Sequence, residues 1–181
     1  MASMRVEPTA LMTLIRRTLL RPARPAPAGF RVRVAVWLTV AGSLVYAGQK
    51  VYMAARGEIG MPGHPAPAHV QAQFEHPGWA QAGNAALGIV AALVPWSTIT
   101  HWGARIPRWA LLCALALATV LQLLGGLITL QRADLDLAHL GWGSAYEAVA
   151  GGVGIAAWIV VLVSYCLRSR PHAGAVAEAR P

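Results

Sequence analysis

The chain has 181 residues, 56% of them hydrophobic and only 12% charged, with a formal net charge of +8. A soluble domain averages about 45–50% apolar and about 25% charged residues, so this composition excludes an ordinary soluble fold and points to the membrane class. The basic residues flank apolar segments and fill the tails instead of covering one folded face, which argues for a lipid bilayer as partner and against nucleic acid.

Lys50 is the only lysine among the 15 basic residues. Together with abundant alanine, glycine and proline, this resembles the coding bias of a high-GC bacterial gene.

In chain order, residues 1–31 form a basic tail. Ala10 to Leu20 mixes Leu11, Leu14, Ile15, Leu19 and Leu20 with Arg16 and Arg17. Such a pattern suits either a short amphipathic helix on anionic lipid or a disordered basic tail. Pro22, Pro25 and Pro27 then make an extended linker.

A hydrocarbon core about 30 Å thick needs about 20 helical residues, because backbone groups in lipid must be satisfied within their own segment. Four stretches qualify: 32–55, 79–98, 108–131 and 144–167. Gly57, Gly60, Pro62, Gly63, Pro65 and Pro67 break the first interval and Gly103 and Pro107 the second, while the third holds Asp134, Asp136 and Gly141. Tryptophans 37, 79, 96, 102, 109 and 142 fall near the ends of these stretches, where an amphipathic ring prefers the headgroup level, and Trp158 alone sits well inside one. Val45-Tyr46-Ala47 loosely matches a signal-peptide cleavage site, but the apolar pattern continues through Val51, Tyr52, Met53 and Ala54, so the first stretch is read as a retained span.

Arginines cluster before the first span, between the second and third (Arg105, Arg108) and after the fourth (Arg168, Arg170, Arg180), three regions that four spans place on one side. The opposite side has only Arg56 and Arg132, with Lys50 near its boundary, together with Glu58, Glu75, Asp134 and Asp136. By the positive-inside rule the arginine-rich side is cytoplasmic. The expected fold is therefore all-α, an integral four-helix bundle of the plasma (inner) membrane spanning 32–167, with both termini cytoplasmic and a cytoplasmic tail over 168–181.

Small residues let lipid-embedded helices approach closely. Ser144, Ala148, Gly152 and Ala156 lie four apart on the fourth span, and Ala110, Ala114, Ala118, Gln122 and Gly126 share one face of the third, which predicts that these two helices pack as an antiparallel pair. Cys113 and Cys166 fall in apolar segments and read as inert thiols.

Polar groups that cost energy in lipid carry the functional question. Topology brings Lys50, Gln81, Asn84, Gln131 and Glu147 to one level near the outer ends of the spans. A charged side chain at mid-helix costs about 2.5–3.5 kcal/mol and tends to face the bundle and pair, so Lys50 and Glu147 are the expected ion pair, with Tyr46, one turn below Lys50 on its face, and Asn84 adding hydrogen bonds and Gln81 a further candidate at the same level. This cluster is either a structural pair that fixes helix register or the lining of an outward-facing pocket for a small polar ligand or a proton.

His64, His69 and His76 share the first outer loop with Glu58 and Glu75, but their spacing matches no known metal motif and prolines interrupt them, so no metal site is assigned. No histidine lies deep in a span, which argues against bis-histidine haem, and no cofactor is assigned. Established catalytic signatures, from the P-loop to His-Glu-x-x-His, are absent from the sequence.

The segment Lys50-Val51-Tyr52-Met53-Ala54-Ala55-Arg56-Gly57-Glu58-Ile59-Gly60 resembles the end of the first helix in a family of small, uncharacterised actinobacterial four-helix membrane proteins. The family pattern there is Lys or His, then Tyr-Trp-Ala, then Gly-Gly and a further Gly; here Met53 replaces the tryptophan and Arg56-Gly57 the double glycine. Asn84-Ala85-Ala86-Leu87-Gly88 is similar as well. The resemblance implies a plasma-membrane location, no known reaction, and some weight on Lys50 and Tyr52. With packing devices evident and catalytic ones not, the expected role is a non-enzymatic accessory or interaction subunit, partnered by another membrane protein or a second copy. The alternative is a small transporter or sensor built on Lys50 and Glu147.

Overall fold

The structure is a computed structural model that describes residues 25–132 and 142–170, with side chains over 25–127 and 151–170. The expected surface helix at 10–20, Asp134, Asp136 and the tail beyond Arg170 lie outside the described residues, as do the side chains of Gln131, Ser144, Glu147 and Ala148.

The chain is mostly helical. Helix α1 (Phe30–Arg56) is followed by a hairpin of β1 (Gly60–Met61) and β2 (His64–Pro65), the single-turn α2 (Ala68–Gln71), α3 (Pro77–Ser97), a 3-10 turn at Trp102–Arg105, α4 (Arg108–Arg132) and α5 (Trp142–Arg168). Each of the four expected spans falls on a helix. Among the described residues three stretches are long and apolar enough to cross a membrane: Phe30–Arg56, Arg108–Leu127 and Gly151–Arg168. Helix α3 is not one of them, because Gln81, Asn84 and Pro95 displace apolar residues within its 21 positions.

Local chemistry sets the helix ends. Gly57 takes φ 65, and the N–H groups of Gly57 and Glu58 donate to the carbonyls of Ala54 and Met53, a Schellman stop that a Cβ would strain. Pro77 opens α3 at a position where its missing N–H costs nothing. At the other end of α3, Ser97 Oγ and Thr98 Oγ1 donate to the carbonyls of Val94 and Pro95 at 2.6 and 2.7 Å. Gly103 in the 3-10 turn lies so close to the Ser97 carbonyl that no side chain fits there.

Helices α1 and α3 form the most extensive pairing, and α5 packs on both α1 and α4. The buried stripe of α3 is Gln81, Ala85, Gly88, Ala92 and Pro95, and that of α1 includes Val36, Val40, Ser43, Ala47 and Lys50, both at helical spacing. At Gly88 the backbones come close: a Cβ there would lie 3.0 Å from Ala47 Cβ and 3.0 Å from Tyr46 Cδ1. The apolar core joins Val36 and Val40 of α1, Ala92 of α3, Leu111 and Leu115 of α4, and Trp158, Val161 and Tyr165 of α5.

Among the described side chains, the expected small-residue seam between α4 and α5 needs correction. Gly152 and Ala156 are exposed, Ala110, Ala114 and Ala118 only flank the buried Leu111, Leu115 and Thr119, and Gln122 is exposed. Helix α5 instead buries Ala157, Trp158, Val161 and Tyr165. Small residues permit close approach, but a large aromatic gains far more from contact and so sets the rotation of the helix. The two helices do pack on each other as expected, and one small residue of the stripe takes part, since a Cβ at Gly126 would meet Ile155 at 3.0 Å. Leu87, Val90, Leu117, Leu121, Val160 and Val163 face outward, the surface an apolar solvent would cover.

Candidate functional site

The site begins with the hairpin. Pro62 and Gly63 occupy the two central positions of its turn, and Gly63 takes φ 82, as a type II turn requires. Gly60 takes φ 131, and a Cβ there would sit 2.7 Å from both Ala66 N and His64 O, so only glycine fits. The Ala66 N–H closes the hairpin by donating to the Ile59 carbonyl at 2.7 Å. Gln71 of α2 braces it from outside, its Oε1 accepting from Ile59 N–H at 2.9 Å and its Nε2 donating to the Ala66 carbonyl at 3.2 Å.

This geometry aims the Gly60 carbonyl into the cleft between α1 and α3. Lys50 Nζ donates to it at 2.7 Å and Gln81 Nε2 at 3.3 Å. Asn84 Nδ2 stands 3.5 Å from Gln81 Oε1, at the outer limit of a hydrogen bond. The Lys50 ammonium also lies 5.3 Å from the centre of the Tyr46 ring, within cation–π range. Lys50 is 8% exposed and Gln81 1%, so both donors work where an unmet hydrogen bond is expensive.

Lys50, Gln81, Asn84 and Tyr46 thus come together, at the level where helical rise places them. The side chain of Glu147 lies outside the described residues, so its pairing with Lys50 has no geometry here. Sequence reasoning missed two partners. Gly60 acts through a backbone carbonyl, which carries no residue identity, and Gln71 ends a single helical turn too short to leave a periodic pattern; the Pro62-Gly63 pair was the one signal that a tight turn stood there.

Resemblance had drawn attention to Tyr52, which lies outside the cluster on the exposed face of α1. Its hydroxyl accepts from Arg56 Nη1 at 3.3 Å, and Arg56 Nη2 pairs with Glu58 Oε1 at 3.1 Å. His64 lies on β2, His69 in α2 and His76 just before α3, with His76 Nε2 3.9 Å from Glu75 Oε1. Among the described residues no group of three or more His, Cys, Asp or Glu is placed to hold a metal ion.

No protein-family model, curated protein or solved structure matches this chain. Its chemistry therefore has to be read from the residues. The described cluster brings two N–H donors onto one carbonyl oxygen, with an aromatic face against the ammonium that supplies one of them, a set that holds an acceptor in place.

Proposed function

We propose that this is a non-enzymatic four-span protein of the plasma membrane, both termini cytoplasmic, serving as an accessory or interaction subunit for another membrane protein or a second copy of itself. We also place it beside the small actinobacterial membrane proteins that its Lys50 to Gly60 segment resembles. The observation that supports a scaffolding role is the convergence of Lys50 and Gln81 on the Gly60 carbonyl. These are the most costly polar groups described within α1 and α3, and both are engaged in fixing the hairpin over the ends of the helices. Extraction in a mild detergent followed by crosslinking should recover one reproducible membrane-protein partner or a defined homo-oligomer. A lone monomer with no crosslinked neighbour would overturn the reading.

One observation favours a second reading, a small transporter or sensor. The Lys50 ammonium has three donors, and no described carboxylate lies within ion-pair distance of it. In that case Glu147, one turn into the fourth span, supplies the counter-charge, and displacement of the hairpin opens the pair to water. Glu147→Gln would then abolish transport or ligand response while leaving thermal stability intact; a response equal to wild type would remove this reading.

A further inference from the structure

We propose that a cavity at the arginine-rich end of the molecule binds a phosphate group, presented by the headgroup of an anionic phospholipid. The cavity measures about 220 Å³ and is bounded by the 25–28 segment, the turn from Thr98 to His101, Ala104 and Arg168. A water molecule takes about 30 Å³ of liquid volume, so a phosphate and accompanying water fit.

Arg168 supplies the charge and is held in place by the fold. Its Nε donates to Ser164 Oγ at 3.0 Å and its Nη1 to the Ala26 carbonyl at 2.9 Å, while the Ala26 N–H returns a bond to the Arg168 carbonyl at 3.1 Å. Nη2 is the poorly used arm, 3.5 Å from the Thr98 carbonyl. A phosphate oxygen would replace that long contact with a charge-assisted bond, the geometry in which guanidinium excels. The surroundings favour an anion. Arg31, Arg33, Arg105, Arg108 and Arg170 lie at the same end, His101 is exposed at the rim, and the carboxylates whose side chains are described, Glu58 and Glu75, lie at the opposite end.

The choice of lipid as the source rests on the membrane reading, because this end then lies at the phosphate level of the cytoplasmic leaflet, where anionic lipids attract arginine. The test uses the full chain in zwitterionic detergent, titrated with short-chain phosphatidylglycerol, short-chain phosphatidylcholine and inorganic phosphate, with tryptophan fluorescence as the readout. Two variants are compared with wild type. Arg168→Gln removes the charge; Ala104→Leu fills the cavity but keeps Arg168 and its tether to Ala26.

Phosphatidylglycerol should bind wild type more tightly than phosphatidylcholine does, and each variant should lose about tenfold of its affinity, the worth of one charge-assisted hydrogen bond. Equal binding of inorganic phosphate, with the same dependence on both variants, supports the phosphate site and assigns its source to solution. No preference in wild type, or an unchanged preference in folded Ala104→Leu, overturns the proposal. Alkaline carbonate extraction of native membranes tests the membrane reading separately, because a chain released by carbonate still reports on the site through the phosphate titration.

Discussion

If Lys50 and Gln81 both serve to hold the Gly60 carbonyl, their removal must be cooperative. Lys50→Met keeps the length of the side chain but removes the 2.7 Å bond, a charge-assisted bond of about 1.5–3 kcal/mol, partly offset by the burial cost of the ammonium that is also removed. Gln81→Leu removes a longer bond of 3.3 Å, at the low end of about 0.5–1.5 kcal/mol. Either single variant leaves the carbonyl one donor. The double variant leaves it none in a part-buried position, which adds about 1 kcal/mol beyond the sum of the singles.

Thermal unfolding in mild detergent measures the coupling, and hydrogen exchange at the Ala66 amide, which closes the hairpin, reports whether the loss is local. Protection there should fall in both singles and collapse in the double. Additive stabilities together with unchanged Ala66 protection would refute the convergence of the two side chains on Gly60.

Gly60→Ala forces a residue with a Cβ into φ 131 against backbone atoms at 2.7 Å, so the hairpin should detach at a cost of about 1–3 kcal/mol, seen as new protease cleavage between Glu58 and Pro67; wild-type resistance would contradict the geometry. Trp158→Ala, in the core, should cost about 3–5 kcal/mol, whereas Ala156→Leu on the exposed face of α5 should stay within about 0.5 kcal/mol of wild type, both measured by thermal unfolding. A costly Ala156→Leu would restore the small-residue stripe as a packing surface between copies or helices.

Much of the fold can be read from the sequence because apolar length and punctuation are strong local signals. The expected stretches 32–55, 79–98, 108–131 and 144–167 differ by only a residue or two at each end from α1, α3, α4 and α5, and Gly57 and Pro77 mark boundaries through their backbone chemistry. The level shared by Lys50, Gln81, Asn84 and Tyr46 follows from helical rise alone. Two things do not follow from it. Carbonyl oxygens are the same in every residue, so the acceptors at Gly60 and Ala26 leave no trace in the residue alphabet beyond the turn that positions them. Helix rotation is the other: the alanine and glycine stripe on α5 permits contact, but the burial of Trp158 and Tyr165 decides which face turns inward.

Helix α3 decides whether the chain spans the bilayer four times, because its polar residues keep it out of the set of helices apolar enough to cross a membrane. Cysteines placed singly at Met61, before α3, and at Arg105, after it, in a background with Cys113 and Cys166 replaced by alanine, put the two ends of this helix under one membrane-impermeant thiol reagent. In intact cells the cysteine at 61 should label and the cysteine at 105 should label only after permeabilisation. Labelling of both positions from the same side would mean that α3 does not cross, and would contradict the four-span protein with cytoplasmic termini proposed above.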